Sequence, residues 1–150
     1  MNIVEFVAEN KIEAVSQIQS YIQEVGRKFN IDELFLDPLN LALEEAFANC
    51  VMYAYPEGVT GQIKIQASCI EASSNSEENL MLVTQISFKL IDNGKPFDPT
   101  QIPDADITLS PEERNVGGLG IFLIKQLMDS VQYERKDNCN ILTLQKNIIS

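Results

Sequence analysis

Residues 80–92 narrow the fold more than any other stretch of this chain. Leu82, Ile86, Phe88 and Leu90 recur on a two-residue period, which predicts a strand with one apolar face. By the same period Asp92 points to that apolar side. A carboxylate closing a buried face needs a partner, because an unpaired buried charge is costly. Asn93 and Gly94 follow at once, so the strand should run straight into a turn.

The other elements follow from period and punctuation. Residues 2–8 alternate and read as a short strand. Residues 11–29 place Ile12, Val15, Ile18, Ile22 and Val25 at three- and four-residue steps, an amphipathic helix. Asp37-Pro38 reads as an N-cap and first helical position. That helix should reach about Ala54, with Leu39, Leu43, Ala46, Phe47, Cys50 and Val51 inward. Residues 62–70 alternate, with Ile63, Ile65, Ala67 and Cys69 on one face. The polar stretch 72–79 reads as a hairpin loop. Residues 95–117 are acidic, proline-broken and aperiodic, which predicts a mobile loop. A helix over 119–131 would turn Leu119, Leu123, Leu127 and Val131 inward, and 132–148 reads as a hairpin turning at Lys136-Asp137-Asn138. This order, β-α-α-β-β-loop-α-β-β, predicts one α+β domain over residues 1–150. Its architecture would be a two-layer sandwich, a mixed or antiparallel sheet with helices on one face.

Composition removes several function classes. A net charge of −11 in 150 residues argues against nucleic acid, whose phosphates need a basic surface. There is no histidine, so the chain cannot be its own phosphohistidine donor, run a Ser-His-Asp triad, or bind zinc through imidazole. Cys50, Cys69 and Cys139 show no metal spacing and fit free thiols in a reduced cytosol. No apolar run approaches the roughly 18 residues of a membrane helix. The first residues show no basic segment or cleavage site. The expectation is a cytoplasmic protein with no membrane partner.

Three segments carry possible chemistry. Glu45 and Asn49 lie one helical turn apart, which brings them onto one face. One amide oxygen there suits a nucleotide-bound magnesium, which takes few protein ligands; the same pair also suits a solvated helix face. Asp92 and Gly94 place a buried acid beside a turn open to close approach. Such an acid can accept from the exocyclic amine of adenine, where guanine presents a carbonyl; Asp-Asn-Gly is equally a common turn. Gly117-Gly118-Leu119-Gly120 precedes a helix, offering backbone N–H groups and a positive dipole end to an anion; it also suits a plain helix start. Its spacing matches neither the Walker nor the dinucleotide pattern.

Together and in this order, the segments resemble the ATP-binding core of the GHKL superfamily. Residues 42–55 look like its N-box, and Asp92-Asn93-Gly94 like its D-x-G-x-G segment, with Pro96 where the second glycine usually falls. Pro96-Phe97-Asp98-Pro99 and the run from Gly117 to Asp129 are similar to the anti-sigma-factor serine kinases, the RsbW-like branch. The resemblance implies a Bergerat-type fold and an ATP- and Mg2+-dependent serine kinase. In it Glu45 is the general base and Asn49 the magnesium ligand. Asp92 and Gly94 hold the base, and Gly118, Leu119 and Gly120 the phosphates. Arg114, just upstream, would face the γ-phosphate or a partner. The implied partners are a small STAS-type anti-sigma-factor antagonist as serine donor, a sigma factor, and a second copy in a homodimer. Two rivals stand beside this reading: an ATP-binding switch without transfer, and a detached histidine-kinase ATP-binding domain.

Overall fold

A computed structural model describes residues 2–76, 79–101 and 118–149. The chain forms β1 (Val4–Glu9), α1 (Ile18–Phe29), α2 (Leu36–Asn49), β2 (Gln62–Ser76), β3 (Asn79–Asp92), α3 (Gly118–Leu127), β4 (Ser130–Lys136) and β5 (Cys139–Ile149). The strands make one five-stranded sheet in the order β1-β2-β3-β5-β4, antiparallel at every pairing. The expected α+β sandwich is present, and its sheet is antiparallel throughout. Among the described residues no helix is long and apolar enough to cross a membrane.

The period-2 pattern sets the inner face. Ile63, Ile65, Ala67, Ile86, Phe88, Leu90, Leu142 and Leu144 are buried on it. Lys64, Gln66, Lys89, Thr143 and Gln145 alternate with them on the opposite, polar face. The helices supply the other half of the core through Ile18, Ile22 and Val25 of α1 and Leu39, Leu43, Ala46 and Phe47 of α2.

Several boundaries differ from expectation. Ile12–Gln17 winds as a 3-10 turn before α1, and Ile12 is half exposed. Asp37 is not the N-cap of α2. A 3-10 turn, Glu33–Phe35, runs directly into α2, and Asp32 caps that turn by accepting from the Leu34 N–H at 3.0 Å. Pro38 sits in the first turn of α2, where a missing N–H costs nothing. The polar stretch 72–76 is not loop. β2 and β3 stay paired out to Ser76 opposite Asn79, because backbone bonds carry the ribbon beyond the strands that flank it.

The third helix also ends early. α3 stops at Leu127, and Val131 belongs to β4. Its core-facing residues are Ile121 and Ile124, followed by buried Met128 just past its end, with Leu123 and Leu127 only partly covered. In so apolar a helix two stripes compete, and the period alone does not choose between them. The expected loop over 95–117, with Arg114 and Gly117, lies largely outside the described residues.

The last hairpin turns at Asp137 and Asn138, both left-handed at φ 53° and 61°, between paired Lys136 and Cys139. This is a type I′ two-residue loop, whose twist matches that of the strands. Asn tolerates that conformation and a β-branched residue does not. Asn138→Val should cost about 1–2 kcal/mol, read from the urea midpoint at unchanged slope. An unaltered midpoint would contradict the turn assignment.

Candidate functional site

Burial of the apolar stripe of α2 leaves two polar residues turned toward the start of α3. Asn49 is only 6% exposed, and Glu45 is half-buried one turn before it. A methyl group placed on Gly120 would stand 3.0 Å from Glu45 Oε2 and 3.6 Å from both Asn49 amide atoms. The structure thus brings Glu45, Asn49 and Gly120 together, and Gly120 keeps the space between them open. The Asn49 Nδ2 is buried and has no hydrogen-bond partner among the described residues. An orphaned buried amide is expensive, and here it lines a glycine cradle at a helix start. Glu44 lies elsewhere on the helix and accepts from Asn40 Nδ2 at 2.7 Å.

Burial raises the Glu45 carboxyl above its ordinary value, and neighbouring Glu44 adds to the rise. With the Glu45 carboxyl at the cradle, a bare polyphosphate would be repelled. A divalent cation removes that repulsion, and one amide oxygen is the kind of ligand such a cation accepts. The donor set of Asn49, Gly120 and the α3 start therefore fits a magnesium-bound phosphate group.

The second half of the site closes the other end of β3. Asp92 is 3% exposed. Its Oδ1 accepts from the Gly94 N–H at 2.9 Å and from Asn140 Nδ2 at 2.8 Å, and the buried Cys50 thiol lies beside its carboxylate. Burial and that acid push the Cys50 thiol well above its usual value, so it stays neutral. The acid that the strand period singles out is thus buried and held by two donors.

Gly94 is required by backbone contact. A methyl group there would lie 2.3 Å from the Ala54 carbonyl oxygen. The close approach is to the end of the α2 segment, where Cys50–Ala54 winds as a π-helix. That wider turn frees the Ala54 carbonyl, which accepts from the Lys95 N–H at 2.8 Å. The Tyr55 hydroxyl accepts from the Asn93 N–H at 3.1 Å and lies 2.7 Å from Asn93 Oδ1; burial pushes its phenol up to about 12. The Pro96-Phe97-Asp98-Pro99 run has local reasons too. Phe97 stacks on Tyr53 at 5.2 Å, and Asp98 accepts from the Thr100 N–H at 2.9 Å to start the 3-10 turn Pro99–Gln101.

Of the predicted site residues, Glu45, Asn49 and Gly120 meet at one end, and Asp92 and Gly94 at the other. Gly118 and Leu119 form the first turn of α3. Sequence reasoning misses Asn140, Cys50, Tyr53 and Tyr55. Asn140 reads only as a polar residue in the strand after the turn; the register, which sets it opposite Asp92, shows its place.

Comparison with known proteins gives a consistent answer. The model of the histidine kinase-like ATPase domain family matches residues 8–146. The serine/threonine-protein kinase BtrW of Bordetella bronchiseptica is 28% identical over 106 residues, 71% of this chain and 66% of that protein. The serine-protein kinase RsbW of Listeria monocytogenes is 30% identical over 101 residues, 65% of this chain and 57% of that protein. RsbW of Bacillus cereus is 26% identical over 143 residues, 93% of this chain and 81% of that protein. The chain thus spans less than two thirds of the length of the first two relatives.

The raised Glu45 carboxyl has a consequence for stability. Its ionisation opposes folding, so its favourable contribution is full below the ordinary carboxylate range and is lost as pH rises through the raised value. Glu45→Gln should therefore melt above the wild type at neutral pH, and the gap should close as the pH falls into the ordinary carboxylate range. A variant that melts lower at neutral pH would contradict this.

Proposed function

The chain belongs to the histidine kinase-like ATPase domain family, and from that premise we propose that it is an ATP- and magnesium-dependent protein serine kinase of the anti-sigma type. Membership implies a nucleotide site. The observation that carries the finer reading is the facing of Glu45 and the orphaned Asn49 amide onto Gly120. The names of BtrW and RsbW support serine as the acceptor. The Pro-Phe-Asp-Pro and glycine segments support the anti-sigma branch. The proposed partners are a small STAS-type antagonist that donates the serine, a sigma factor that is sequestered, and a second copy of this chain.

In this reading Asn49 would hold magnesium through its amide oxygen, with its N–H free to donate to a phosphate oxygen. Gly118, Leu119 and Gly120 present backbone N–H groups at the α3 start. Asp92, held by Gly94 and Asn140, accepts from the adenine amine. Magnesium-ATP supplies the transferable phosphoryl group, and catalysis is otherwise positioning and charge neutralisation. Glu45 Oε2, at the Gly120 cradle, takes the proton of the incoming serine hydroxyl. A carboxylate raised by burial is the stronger base for it.

Three variants separate these roles. Asn49→Ala should lose the magnesium-dependent part of ATP affinity and keep its fold; titrations unchanged with and without magnesium would remove Asn49 from the site. Asp92→Asn should abolish the preference for ADP over GDP in calorimetry. Glu45→Ala should bind ATP yet transfer phosphate about 10²–10⁴ more slowly in a single turnover, whereas Glu44→Ala should change little. Wild-type transfer by Glu45→Ala would overturn the assignment of the base.

A further inference from the structure

The side chain at the centre of the base end is Asn140, which is 4% exposed on β5. Its Nδ2 donates to Asp92 Oδ1 and to the Lys95 carbonyl, each at 2.8 Å. Its Oδ1 accepts from the Phe97 N–H at 3.2 Å and from the Tyr133 hydroxyl. An amide offers two donors and two acceptor sites, and all four are used. The orientation is fixed chemically: a carbonyl can only accept and a backbone N–H can only donate.

These four partners lie on three separate elements. Asp92 ends β3, Lys95 and Phe97 open the loop toward 101, and Tyr133 lies on the edge strand β4. Phe97 continues the chain of contacts to Tyr53, at the end of the helix that carries Asn49. The loop root also has anchors of its own. The Arg135 Nη1 donates to the Gly94 carbonyl at 2.8 Å, and the Lys95 N–H reaches Ala54. Asn140 is therefore not what keeps the loop attached. Gly94 reaches the acid through its own N–H, and Asn140 is the side chain among the described residues that joins Lys95 and Phe97 to it.

We propose that Asn140 is a positioning residue that sets Asp92 for the nucleobase and locks the root of the 95–101 loop to the same geometry. The proposal rests on the nucleotide reading above. One amide then makes base recognition and loop placement a single event. A base that draws Asp92 out of line also loosens Lys95 and Phe97.

Asn140→Asp tests this with little change of shape. It keeps the acceptor for Phe97 and Tyr133 but exchanges two donations for a carboxylate against Asp92. Two adjacent carboxylates share a proton readily, at a pH above the ordinary range. The other titratable or charged groups here are Cys50 and Tyr55 from the α2 end, Tyr133 and Arg135 from β4, Cys139 from β5, and Asp98 from the loop. Burial raises Cys50, Tyr55 and Tyr133, so these stay neutral between about pH 5 and about pH 8.

The measurement is calorimetry with ADP and GDP, at several pH values in that range, on wild type, Asp92→Asn, Asn140→Ala and Asn140→Asp. The wild type should prefer ADP at every pH. Asn140→Ala should bind ADP about ten- to a hundredfold more weakly, with GDP unchanged. Asn140→Asp should match it at the alkaline end and regain ADP affinity as the pH falls and the shared proton restores a donor to Asp92. A folded Asn140→Asp with wild-type ADP affinity at all pH values overturns the proposal. So does failure of both Asn140 variants to fold, which would make the residue structural alone. A wild type indifferent to the base, with Asp92→Asn unchanged, would instead sink the nucleotide reading beneath it.

Discussion

The burial of one stripe of α2 against the inner face of the sheet is the constraint on which the site depends. Leu39, Leu43, Ala46 and Phe47 are 2% exposed or less, and so close a fit fixes the rotation of the helix about its axis. Glu45 and Asn49 have no freedom to choose their direction. They point toward the α3 start because the residues between and around them must point at the core. Gly120 completes the arrangement by having no side chain where one would fill the gap. The cradle is thus a by-product of core packing, and its polar lining carries the cost. A carboxyl raised by burial and an amide without a partner among the described residues are both unfavourable in the protein alone. A buried polar group without a partner calls for an explanation, and a bound ligand that supplies the missing contact is one.

The same logic governs the other end. The strand period that buries Ile86, Phe88 and Leu90 also delivers Asp92 to the inner face. An acid there survives because Gly94 and Asn140 donate to it. Hydrogen bonds to a charged acceptor are stronger than neutral ones, so this small network holds both the acid and the loop behind it. The π-helical turn Cys50–Ala54 joins the two ends. It carries Cys50 to Asp92, Tyr53 to Phe97, and the Ala54 carbonyl to Lys95.

Much of this is legible in the amino-acid sequence. Alternation locates β2 and β3 and puts Asp92 inward, and the α2 stripe reads correctly from Leu39 to Cys50. The paired turn residues Asp137 and Asn138 place the last hairpin. What escapes is set by tertiary contact. The cap at Asp32 depends on a 3-10 turn that no apolar period announces. The α3 stripe could be Leu123 and Leu127, and packing chooses Ile121 and Ile124. The ribbon through 72–76 is held by backbone bonds, which polar side chains neither favour nor forbid. Asn140 needs a register across two hairpins, and a one-residue slip would turn it to the other face. The π turn has no sequence signature, although it puts Cys50 beside Asp92, Tyr53 against Phe97 and Tyr55 against Asn93.

The central claim is that one nucleotide spans the two ends, with its base at Asp92 and its phosphates between Asn49 and Gly120. A crystal grown with magnesium and a non-hydrolysable ATP analogue tests it most directly. The account predicts the adenine amine against the Asp92 carboxylate, a metal ion on the Asn49 amide oxygen, and phosphate oxygens on the backbone N–H groups of the first turn of α3. A nucleotide bound elsewhere on the molecule, or bound here with Asp92 and Asn49 both untouched, would contradict it.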